Sequence, residues 1–177
     1  MKTKHKCNVA KVALSVLFLM IIALAPGQDY NLQGVALRDL DGELIDPLSL
    51  MDDSLPVMIV FWNSREKNCT KQLEALLNAK ADNFTDDQLR FIGVFVSEGS
   101  CASNAKAIVN GSGWDGEFLV DYNGDLKRAM GIPSEPYTIL FNQKHEVVCR
   151  YEGYCSGAED LMCEKVRHCL AEATKGK

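Results

Sequence analysis

Six consecutive apolar residues, Val57 to Trp62, stand behind Pro56 and ahead of the polar stretch Asn63-Ser-Arg-Glu66. A half-buried strand would alternate apolar with polar residues, so a short unbroken run bounded by a breaker predicts a strand covered on both faces. Such a strand needs a layer of structure on either side, which points to an α/β fold. The segment directly after it supplies one layer. Asn63 or Ser64 can cap a helix, with Glu66 in capping-box spacing to Asn63. Cys69, Leu73, Leu76, Leu77 and Lys80 then recur at intervals of three and four to a helix end near Asp82, with Cys69 on the apolar face.

The rest of the chain continues the pattern. Val35 to Leu40 alternates, Asp41-Gly42 turns, and Glu43 to Ile45 returns, a short N-terminal β-hairpin. Phe91 to Val96 reads as a second buried strand and residues 103–110 as a weak helix. Phe118 to Asp121 is extended, Asn123-Gly124 turns, and Asp125 to Met130 suits a short helix. The breakers of Gly131-Ile-Pro-Ser-Glu-Pro136 precede a third apolar strand, Tyr137 to Phe141. Asn142 to His145 turns the chain into Glu146 to Glu152, with Val147, Cys149 and Tyr151 on one face. Ser156 and Glu159 form a capping box for a last helix to about Thr174, with Met162, Val166, Cys169 and Ala173 inward. Parallel connections followed by an antiparallel hairpin and a closing helix describe a central mixed β-sheet flanked by helices.

The N-terminus has the layout of an export signal. Lys2, Lys4, Lys6 and Lys11 precede an uncharged apolar run from Val12 to Ala25, which is shorter than the roughly 20 residues of a membrane span. Cleavage after Gly27 is expected, leaving residues 28–177 as one domain, periplasmic or secreted and without a stable membrane span. The signal takes away four of the 19 basic and none of the 24 acidic residues, so the mature chain has a formal charge of −9. Nucleic acid and anionic membrane surfaces are poor partners for such a chain. Cys7 leaves with the signal. Cysteines 69, 101, 149, 155, 163 and 169 remain, an even number that permits disulfides in an oxidising compartment. Cys163 and Cys169 are about 9 Å apart along one helix and cannot bridge. A Cys149–Cys169 pair, both facing the core, is the plausible disulfide. Cys155, Cys163 and His168-Cys169 fit no zinc spacing, and no metal or cofactor is expected.

The segment Val57-Met-Ile-Val-Phe-Trp-Asn-Ser-Arg-Glu-Lys-Asn-Cys-Thr-Lys-Gln-Leu73 resembles the strand, active-site turn and helix of thioredoxin-like proteins, particularly the exported TlpA and ResA group of thiol-disulfide oxidoreductases. Asp39-Leu-Asp-Gly42 resembles that group's opening hairpin, Val120-Asp-Tyr-Asn-Gly124 its mid-domain turn, and Ile132-Pro-Ser-Glu-Pro-Tyr-Thr-Ile-Leu-Phe141 its cis-proline loop and following strand. The resemblance implies a thioredoxin-like fold from about Val35 to Leu170. It implies a Cys-x-x-Cys at the helix start, and here that frame reads Glu66-Lys67-Asn68-Cys69. The first cysteine of such a pair is the exposed nucleophile and the second resolves the mixed disulfide. A carboxylate neither forms nor breaks a sulfur–sulfur bond, so Glu66 removes the dithiol cycle. Peroxidases of the same broad fold place Thr and Pro where this chain has Glu66 and Trp62, which counts against that chemistry. Cys69 is then a buried, inert thiol or a lone reactive one, with Cys101 as its possible resolving partner. The resemblance also implies that Pro136 is the cis-proline, in a loop whose backbone groups pair with an extended exported protein or peptide, with Glu135 and Pro136 as its candidate binding residues. Trp62 and Trp114 read as core or pocket-rim aromatics, and Trp62 is a further candidate for the groove. Two readings stay open: single-cysteine redox chemistry at Cys69, and a non-catalytic module that binds a partner.

Overall fold

The computed structural model of the protein describes residues 30–51, 54–97 and 103–175. The expected signal over residues 1–27 and the candidate Cys101 lie outside the described residues. The elements in chain order are β1 (Leu37–Asp39), β2 (Leu44–Ile45), a 3-10 helix (Pro47–Met51), β3 (Val57–Trp62), α1 (Lys67–Asn83), β4 (Arg90–Val96), α2 (Ser103–Ser112), β5 (Glu117–Asp121), α3 (Asp125–Ala129), β6 (Tyr137–Phe141), β7 (Val147–Glu152) and α4 (Ala158–Lys175). The strands form one mixed sheet in the order β2-β1-β5-β4-β3-β6-β7. β3, β4 and β5 run parallel, while β6 and β7 continue antiparallel on one side and β1 and β2 on the other. This is the thioredoxin-like α/β architecture expected from the sequence, hairpin included. Among the described residues no helix is long and apolar enough to cross a membrane.

β3 is buried along its whole length. Its side chains divide between two cores: Met58, Val60 and Trp62 join α1, α2 and α4 on one face, and Val57, Ile59 and Phe61 join Leu50, Leu126 and Met130 on the other. Each fully buried large side chain contributes about 1.5–3 kcal/mol of transfer free energy, so this six-residue strand anchors both layers. α1 buries Cys69, Gln72, Leu73, Leu76 and Leu77, a helical stripe against the sheet. Because β3 and β4 are parallel and β6 is antiparallel to β3, the end of β3, the start of α1, the loop before β6 and the loop after β7 gather at one end of the sheet.

Three local expectations are corrected. α1 starts at Lys67 with Glu66 itself in the N-cap position and no side-chain cap bond from it, so of the expected box only the Asn63 half forms, its Oδ1 accepting from Glu66 N–H one turn ahead of the helix. α4 starts at Ala158, and its first turn is held by Glu159, whose carboxylate accepts from Gly157 N–H at 3.1 Å, with Ser156 outside it and Ala173 exposed. In β7 the register shifts opposite Leu140 and Phe141. That bulge sends Val147 to the core beneath α3 while Cys149 and Tyr151 face α1 and α4.

Candidate functional site

Asn63 organises the turn between β3 and α1. Its Oδ1 accepts from the backbone N–H of Arg65 at 2.9 Å and of Glu66 at 3.0 Å, and its Nδ2 donates to Glu135 Oε2 at 3.0 Å. Glu135 precedes Pro136, and the Glu135–Pro136 peptide bond is cis. Its other oxygen, Oε1, is ion-paired with Lys127 Nζ at 2.9 Å, and the Glu135 and Lys127 side chains are largely buried, 9% and 15% exposed. Lys127 is positioned in turn by Asp121, fully buried at the end of β5, whose carboxylate accepts from the N–H of Asp125 at 2.8 Å and of Lys127 at 2.9 Å. Burial pushes the Asp121 carboxyl above its ordinary range, and those backbone donors pull it back. A continuous polar path therefore runs from Asp121 through α3 and Glu135 to the turn between β3 and α1.

Between the turn and the loop lies a cleft of about 270 Å³ lined by Asn63, Arg65, Glu66, Ser134 and Glu135. Arg65 and Glu66 are exposed. Among the described residues, the backbone groups of Ser134 and Glu135 form no backbone hydrogen bond, whereas Pro136 O is taken by Gly153 N–H at 2.8 Å. The cleft thus offers a short stretch of unpaired backbone beside an exposed helix start.

Cys69 lies beneath this surface with no solvent exposure. Its N–H donates to Glu66 O at 2.9 Å, as the first turn requires. Burial pushes its thiol up to about 11, the Asn63 backbone N–H opposes this, and the carboxylates of Glu135 and Glu66 add to it. The helix terminus favours thiolate, but desolvation wins here.

The structure brings together Glu66, Cys69, Glu135 and Pro136, while Trp62, Cys149 and Cys169 lie outside the cleft lining. Trp62 is fully buried, edge-on to Phe95, Trp114 and Phe118 at centroid distances of 4.9, 5.6 and 6.4 Å, and does not line the cleft. Cys149 and Cys169 are free thiols. Cys149 Sγ lies 3.6 Å from Met162 Sδ, and its thiol is pushed up to about 11 by burial, with Cys169 close enough to add to the shift. Two functional groups were missed in the sequence, Asn63 as the fork of the site and Lys127 as the counter-ion of Glu135. Asn63 at a strand-to-helix junction is a legible signal for the first. The Lys127–Glu135 pair leaves no spacing signature.

The sequence matches no protein-family model and no curated protein. Among solved structures, the chain is similar to a thioredoxin-like protein from Porphyromonas gingivalis, 30% identical over 82% of this chain and 95% of that one, with a TM-score of 0.68. It also shares its fold with StoA from Bacillus subtilis, 17% identical over 73% and 93% of the two chains with a TM-score of 0.59. A secreted disulfide oxidoreductase from Mycobacterium tuberculosis is 16% identical over 75% and 94%, with a TM-score of 0.62. These likenesses define a thioredoxin-like fold. The chain belongs to the thioredoxin-like family.

Proposed function

We propose that this protein is an exported thioredoxin-fold protein that holds an extended segment of a partner in the cleft between Asn63–Glu66 and Ser134–Pro136, without dithiol exchange there. The observation that carries the reading is Cys69: fully buried, with its thiol pushed up to about 11, and one turn from a carboxylate where the nucleophilic thiol would stand. At neutral pH about one thiol in ten thousand would then be thiolate, and a neutral thiol does not attack disulfides. The unpaired backbone of Ser134 and Glu135 supports retention of a groove, because an extended peptide can pair with such groups as an added strand.

Insulin reduction with dithiothreitol tests this. The native protein is expected to leave the rate of precipitation at that of the reductant alone. E66C supplies an exposed thiol at the start of a 17-residue helix and is expected to accelerate precipitation. Acceleration by the native protein that is lost in C69A would overturn the non-catalytic reading. An E66C variant that forms the 66–69 disulfide and yet stays inert would remove the cleft as a substrate groove.

A further inference from the structure

Resting on the cleft as the partner site, we infer that the segment it takes is acidic as well as extended, with carboxylates at alternate positions. Arg65 is part of the cleft wall. Lys67 and Lys71 come next on α1, exposed and one turn apart on the same face. Lys71 Nζ stands 6.0 Å from the centroid of the Tyr154 ring. Tyr154 succeeds Gly153, whose N–H is bonded to Pro136 O. The cations therefore run from the cleft towards the loop that flanks the cis-proline, facing the path of a segment paired with Ser134 and Glu135.

Among the described residues Arg65, Lys67 and Lys71 form no ion pair, like Arg38, Lys144, Lys165 and Arg167, while Lys80, Arg90, Lys106, Lys127 and Arg128 are paired with Asp86, Glu117, Asp41, Glu135 and Asp125. Glu66 and Glu135 share the cleft wall with Arg65, and Glu135 is already held by Lys127. Residues 28–177 carry nine more acids than bases, so three unpaired bases beside the cleft stand against the charge of the molecule. Glu66 is the acid within the row and Glu74 lies near its far end. Glu152, on the cis-proline side, accepts from Ser134 Oγ at 2.8 Å. The start of α1 adds positive potential to the same surface. Spacing sets the pattern: Lys67 and Lys71 are separated by about 6 Å along the helix axis, close to the roughly 6.6 Å between alternate side chains of an extended strand.

The test is fluorescence anisotropy of the native protein with a labelled seven-residue peptide bearing glutamate at alternate positions, and with its glutamine and lysine counterparts. The glutamate peptide is expected to bind about tenfold more tightly than the glutamine peptide at low salt, with the difference lost near 1 M salt. K67E/K71E is expected to abolish that preference, and amide shifts on binding are expected at Arg65, Ser134 and Glu135. Equal affinity for glutamate and glutamine peptides, with shifts in the cleft, overturns the acidic assignment and leaves the groove reading standing. Glutamate-peptide binding that K67E/K71E does not weaken overturns the placement. Failure of every peptide to bind overturns both. Self-association lost in K67E/K71E, with no peptide binding, makes a second copy the occupant and overturns the assignment to a separate partner.

Discussion

Asn63 serves three hydrogen bonds with one side chain, two from the turn and one to Glu135. Asn63 is buried and its three bonds are part-buried, so removing the amide would leave these groups without their protein partner. N63A is expected to cost about 1–3 kcal/mol in urea denaturation, and to weaken peptide binding beyond that by freeing the cis-proline loop from the turn. Glu66 shows how one position can serve the fold and cancel the chemistry. Its acidic side chain suits a helix start, where it favours folding by about 0.3–1 kcal/mol, and it takes the place of the thiol that a dithiol cycle needs.

The strands fixed by continuous apolar runs were legible almost to the residue: Val57 to Trp62 and Tyr137 to Phe141 both match the strands that form. Helix starts were less so, because caps depend on backbone angles that Asn63, Glu66 and Ser156 alone do not declare. The bulge of β7 was hidden too, since Val147, Cys149 and Tyr151 alternate cleanly in sequence and only the pairing with β6 turns Val147 to the other face. Gly93 carries a constraint of the same kind. A Cβ there would stand 2.6 Å from two atoms of the Phe118 ring, and that ring is stacked on Trp114 at 6.2 Å. G93A is therefore expected to destabilise the protein by about 1–3 kcal/mol through overpacking of β4 against β5, seen as a lower midpoint of thermal unfolding.

At the scale of the molecule, the sheet order collects the end of β3, the start of α1 and the loops around β6 and β7 into one face, and every residue of the cleft comes from these connections. That Glu66, Cys69, Glu135 and Pro136 lie beside one another was legible because the resemblance fixes their frame. Trp62 stood open between core and rim because an aromatic at a strand end looks the same whether it faces solvent or Phe95, and the structure places it in the core. Lys127 was invisible because its partner Glu135 lies in another segment, and Asp121 because its partners are backbone N–H groups of the adjoining turn, at Asp125 and Lys127, which leave no side-chain signature. Absence of thiol exchange at the cleft requires that Cys69 be sealed in. Site-specific alkylation of the native protein by iodoacetamide at pH 7.5, read by mass spectrometry, measures this directly, with the exposed Cys155 as the internal reference. The prediction is that Cys155 labels at the rate of a free thiol while Cys69 stays unmodified until urea unfolds the chain. Labelling of Cys69 in the native protein as fast as Cys155 or faster would contradict it.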